Sequence, residues 1–140
     1  MTSQQVLTDL EGFISGWKTD PADMKKAFLH LKDHLFKKDN ISFDFKGRKG
    51  VSYSLRAKHD KQTNRDLFVM VDVIDDDPEE RWLSVCFYGD LLTDPGEKGD
   101  LVPEGLAGDD GYCFDLDEYT GDGVAYIEAR LDEAFNNAGK

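Results

Sequence analysis

The spacing of apolar residues changes twice along this chain, and the two changes limit what it can fold into. Up to about residue 38 apolar side chains recur at helical spacing, from Ile41 they alternate, and from about Asp122 the helical spacing returns. A period near 3.6 gives a helix one apolar stripe, and a period of two gives a strand one apolar face. A chain with both must bury a sheet under amphipathic helices.

Val6, Leu7, Leu10, Phe13, Ile14 and Trp17 form the stripe of a first helix over about 3–17. After "KTDP", Asp20 is placed to cap a second helix with Pro21 at its first position, where no N–H is needed. Met24, Ala27, Phe28, Leu31 and Leu35 line that helix to about Lys38. "ISFDFKG" and "VSYSLRAK" alternate on either side of "GRKG" and predict a hairpin with one buried face. "LFVMVDVI" reads as a central strand, and "RWLSVCFYG" and "GYCFDLDEY" as two more. Asp122 is placed to cap a last helix carrying Val124, Ile127, Leu131, Phe135 and Ala138. The expectation is an α+β fold: a five-stranded, mainly antiparallel, meander-like sheet with two N-terminal helices and one C-terminal helix packed on one face. No repeat or linker divides the chain, so residues 1–140 are expected to form a single domain.

Charge narrows the function classes. The net charge of −12 disfavours nucleic acid and anionic membrane, both of which are bound by lysine and arginine. The first residues, "MTSQQVLTDLEGF", lack the basic and apolar regions of a signal peptide, and no apolar run is long enough to span a bilayer. A cytoplasmic location is therefore expected, with Cys86 and Cys113 as reduced thiols.

The motifs nearest to known chemistry fall short of what that chemistry needs. "VIDDDPEERW", residues 73–82, joins two strands, and aspartate and proline suit such a turn because one bonds its local backbone and the other presets φ. Calcium takes six to eight oxygens from a loop that curls round the ion, and the spaced aspartates of such loops are absent. Asp75 and Asp77 are thus weak metal candidates. So are His30 and His34, one helical turn apart, because Leu31 stands where a metalloprotease needs glutamate. No histidine lies near either cysteine in sequence to activate it. No phosphate loop, dinucleotide fingerprint or nucleophile elbow occurs. No cofactor and no catalytic residue is assigned.

The most informative pattern is the face of the sheet turned away from the helices. Alternation places Ser54, Arg56, Phe68, Met70, Asp72, Ile74, Trp82, Ser84, Cys86, Tyr88, Cys113 and Asp115 there, an apolar centre ringed by polar groups. Such a surface is covered or used. The leading reading is a non-catalytic interaction module that binds a protein partner or its own copy, either through this face, with Arg56, Met70, Asp72, Trp82, Cys86 and Tyr88 as candidates, or through the acidic surface. The alternative is a ligand-binding domain or enzyme with a pocket between this face and the 89–110 loop, where Arg56 holds an anion and Asp72 acts as acid or base. A divalent-metal binder is a third reading. Far-ultraviolet circular dichroism should show helix and sheet together, and a predominantly helical spectrum would refute the period assignment.

Overall fold

Each segment becomes the element its period predicts, and one strand is added. The computed structural model describes residues 2–106 and 108–140. Helices α1, α2 and α3 span Gln4–Gly16, Met24–Phe36 and Gly121–Ala138. Strands β1 to β6 span Ile41–Arg48, Ser52–His59, Val69–Ile74, Trp82–Tyr88, Asp100–Leu106 and Asp109–Leu116. Among the described residues the six strands form one antiparallel sheet, ordered β1-β2-β3-β4-β6-β5. The strand beyond the expected five is β5, in the segment read as a loop. Pro103 and Gly105 interrupt any alternation there, and its pairing with β6 shifts register between Val102 and Leu106. A proline that cannot donate to a ladder is tolerated at a sheet edge, which is where β5 lies.

Local chemistry sets the helix ends. Ser3 accepts from the Val6 N–H at 3.2 Å and opens α1. Asp20 does cap α2, but from outside it: Oδ1 accepts from Met24 N–H at 2.7 Å and Oδ2 from Lys25 N–H at 2.9 Å. Pro21 therefore lies in the turn before the helix, and Asp23 is the N-cap residue. Thr120, in place of Asp122, caps α3 by accepting from Gly123 N–H at 2.9 Å. Asp122 sits in the first turn, where the helix dipole favours a carboxylate.

Pairing in the ladders puts Phe43, Phe45, Tyr53, Leu55, Ala57, Val71, Val85 and Phe114 on one face. All three helices pack there. Phe13 of α1 stacks on Tyr53 with ring centres 4.3 Å apart, and Phe36 of α2 stacks on Phe43 at 4.2 Å. From α3, Phe135 meets Phe68 at 5.9 Å and Tyr126 meets Phe114 at 6.1 Å. Phe68 was expected on the opposite face. It is fully buried under α3 instead, because β3 begins at Val69 and the alternation does not extend back into the loop.

Residues 92–99 fold around one carboxylate, which also reaches α3. Asp94 accepts from Lys98 N–H at 3.0 Å, Gly99 N–H at 2.9 Å and Tyr112 Oη at 2.8 Å, and also from Tyr126 Oη. Burial alone would raise its pKa, but these four donors outweigh it and hold the carboxyl well below the usual range. Gly99 is required at this crossing, since a Cβ would lie 2.6 Å from the Tyr112 ring and 2.8 Å from Phe114.

The acidic turn after β3 divides into two parts. Asp76 and Asp77 are exposed and bond only local backbone N–H groups, as a solvated turn should. Asp75 is 2% exposed. Its Oδ1 accepts from Arg81 Nε at 2.7 Å, its Oδ2 accepts from Gly50 N–H at 2.8 Å, and its own N–H donates to Val51 at 3.0 Å. One side chain thus ties the β3–β4 turn to the β1–β2 turn. Arg81 in turn lies over the rings of Phe13, Trp17 and Tyr53 at 5.3 to 5.5 Å, which closes the end of the α1 core. Removing one member of a buried pair strands the other charge and costs about 3–5 kcal/mol, whereas exposed substitutions usually cost within about 0.5 kcal/mol. Urea unfolding should therefore show Asp75→Ala destabilised by about 3 kcal/mol, with Asp76→Asn and Asp77→Asn close to the parent; equal effects at the three positions would refute the clamp.

Candidate functional site

The sheet face away from the helices is laid out by the same ladders. One row across it runs Lys46, Ser54, Asp72, Ser84, Asp115, and the next runs Asp44, Arg56, Met70, Cys86, Cys113, Asp100. A third runs Arg48, Ser52, Ile74, Trp82. The six binding candidates share this side by strand parity. Met70, Ile74 and Trp82 are half-buried, and Ile74 and Trp82 lie outside the hydrophobic core formed with the helices.

The 89–110 segment takes another course. Part of it extends the sheet as β5, and the rest docks on α3 through Asp94 and through Thr93, whose hydroxyl donates to Glu133 Oε2 at 2.9 Å. Residue 107 lies outside the described residues. Tyr88, a candidate for the open face, is 3% exposed. Its cover comes from the β2–β3 loop: the Arg65 guanidinium lies 3.9 Å above the Tyr88 ring and pairs with Asp90 at 2.7 Å and Asp109 at 3.3 Å. Nothing in the polar run "HDKQTNRD" singled out Arg65, because its partners are 25 and 44 residues away.

At the centre of the face stands Asp72. Its Oδ1 is buried and has no hydrogen-bond partner among the described residues. Burial pushes the carboxyl pKa up, and the Ser54 hydroxyl with the Arg56 and Arg48 charges pulls part of that back. Arg56 and Asp72 form no direct ion pair among the described residues; the Arg56 Nε donates to Ser54 Oγ at 3.2 Å, so a serine stands between the two charges. No protein-family model, no curated protein and no solved structure matches the chain.

Beside Asp72 the two cysteines are joined. Cys86 and Cys113 are directly opposed across β4 and β6, with Cα atoms 4.1 Å apart, and form a disulfide. The reduced thiols expected from the sequence are thereby corrected: register, which spacing alone does not reveal, brings together residues 27 apart. In the chain-entropy account, closing a loop of that length stabilises the fold by about 3.5 kcal/mol. Without a thiol proton on Cys86, the 3.5 Å contact with Ser84 has the serine hydroxyl donating to sulfur.

The weak metal candidates are dispersed. His34 bridges α2 and α3, with Nε2 2.8 Å from Asp132 and Nδ1 3.4 Å from Glu128. Those carboxylates flank opposite sides of the ring, so they do not converge on one ion. His30 turns to the Tyr119 hydroxyl at 3.4 Å. Asp75 is engaged by Arg81, and Asp77 by the Glu79 N–H at 3.1 Å. No group of three metal-binding side chains gathers among the described residues, and no helix among them is long and apolar enough to cross a membrane.

The raised pKa of Asp72 has a stability consequence. Below the ordinary carboxylate range, about pH 4, the group is neutral folded or unfolded and burial costs no charge. As pH rises through that range the unfolded chain ionises first, and the folded state loses stability. Asp72→Asn removes that loss. Thermal melts should place the variant above the parent at pH 7, with the gap closing at acidic pH; a variant less stable than its parent at pH 7 would refute the assignment.

Proposed function

We propose that this protein is a non-catalytic interaction module whose binding surface is the open face of the sheet. The observation that carries the reading is the buried, unpartnered Oδ1 of Asp72 at the centre of the face turned away from the helices. An acceptor without a donor carries a desolvation cost that a partner's donor would relieve. Around it, half-buried Met70, Ile74 and Trp82 supply an apolar centre, and exposed Lys46, Arg48, Asp100 and Asp115 supply a charged rim. Apolar centres with polar rims are the usual anatomy of protein interfaces, and tryptophan is often their anchor.

The disulfide bears on where the module works. Disulfides persist in oxidising compartments, which argues against the cytoplasmic location read from the sequence. A photo-crosslinking residue at Ile74, on the open face, tests the binding surface when compared with one at Lys32 on α2. Crosslinked protein adducts formed in the native cell should concentrate at position 74; equal or lower yield there than at position 32 would overturn the reading.

A further inference from the structure

The Cys86–Cys113 bridge joins strands that are already paired. The β4–β6 ladder runs from Leu83↔Leu116 to Tyr88↔Gly111, so it continues on both sides of the sulfurs. Neither cysteine belongs to the core beneath the helices. Bridge and ladder also ask for different spacings. Directly opposed strand residues hold their Cβ atoms about 4.5–5.5 Å apart, whereas a disulfide draws them to about 3.8 Å. A bridge that strand pairing does not require, and that the ladder spacing works against, is open to thiol–disulfide exchange wherever a thiolate can reach it.

The two sulfurs differ in access. Cys86 is 8% exposed, and Met70 stands across from it on β3. Cys113 is half-buried, and exposed Asp100 stands across from it on the edge strand β5. The attacking electron pair enters the antibonding orbital of the S–S bond, so a thiolate approaches one sulfur from the side away from the other. Attack on Cys86 has to pass Met70, whereas attack on Cys113 comes over the open edge of the sheet. The leaving group is set as well. Ser84, two residues before Cys86 on the same face, donates its hydroxyl to the Cys86 sulfur at 3.5 Å. That hydrogen bond strengthens when the sulfur departs as a thiolate.

Charge selects the attacker. Asp100 and Asp115 flank Cys113, one across the ladder and one two residues along β6. Both are exposed, and among the described residues neither is in an ion pair. Arg65, which covers Tyr88, is already paired with Asp90 and Asp109. An anionic thiol that enters beside these two carboxylates is repelled, and a cationic one is drawn in.

We propose that Cys86–Cys113 is a thiol-exchange site, opened at the Cys113 sulfur by a neutral or cationic dithiol that approaches over β5. The first thiolate bonds to Cys113 Sγ as the bridge breaks, and the bonding pair leaves on Cys86 Sγ, which takes a proton from water. The second thiolate of the reductant then attacks its own sulfur in the mixed disulfide and releases Cys113, which is protonated in turn. Two electrons pass: the bridge becomes two thiols, and the dithiol becomes a disulfide. The site lies on the open face but does not depend on what that face binds.

Three monothiols probe the first step on the native, oxidised full chain without denaturant: cysteamine (cationic), mercaptoethanol (neutral) and glutathione (anionic). All three should open the bridge while circular dichroism stays native. Rates per thiolate should fall from cysteamine to glutathione by at least about fivefold. The spread should shrink at about 1 M salt, where the screening length is about 3 Å, and in the exposed double variant Asp100→Asn with Asp115→Asn. Acid quenching and peptide mapping should place the mixed disulfide on Cys113. Ser84→Ala should slow opening several-fold and raise the pH at which the Cys86 thiol of a Cys113→Ser chain ionises, read from thiolate absorbance. A bridge that resists every thiol until urea unfolds the chain would overturn the inference, as would a mixed disulfide on Cys86. A rate order that the double variant leaves unchanged would remove the two aspartates as selectors, and with them the proposed class of reductant.

Discussion

Every helix of this protein depends on a single apolar sheet face. Residues that alternate along β1 to β4 and β6 meet across the ladders as a continuous surface, and α1, α2 and α3 are each anchored to it by aromatic side chains. Strand parity makes this arrangement strict. A slip of one residue would turn a whole strand's apolar set away from the helices, so register is set by the core and the opposite face inherits whatever lies between.

What the opposite face inherits is mixed. It carries a carboxylate with an unmet oxygen, a cross-strand disulfide, a half-buried tryptophan and a charged rim. None of these is required by the helix-side core. Three acids that serve the fold are engaged: Asp75 ties two turns, Asp94 gathers four donors, and Asp132 meets His34 and Lys38 between two helices, while the buried Nε of Arg130 is left without a hydrogen-bond partner among the described residues. The contrast between satisfied structural acids and the unsatisfied Asp72 is the physical basis for treating the open face as a working surface.

The Asp75 clamp shows how burial changes the meaning of a residue. In sequence it is the first of three adjacent aspartates, and turn chemistry accounts for all three equally. In the fold, the β1–β2 turn arrives beside it with the Gly50 N–H, and Arg81 folds back over the rings of α1 and β2. The same segment therefore holds one interior ion pair and two solvated acids. His34 is the converse case, a residue whose spacing from His30 suggested a shared ion but whose ring faces two carboxylates of another helix.

The sequence by itself determined the α+β class, the helix faces, the alternation of five strands and the membership of most of the open face. These properties are local: a period of 3.6 or two is visible within about ten residues, and one-sided burial follows from it. Only the tertiary structure decided the rest, because each remaining feature joins positions far apart in the chain. β5 forms by pairing with β6 despite its own weak alternation, and Cys86 meets Cys113 by register. Arg65 covers Tyr88 by reaching across from another loop.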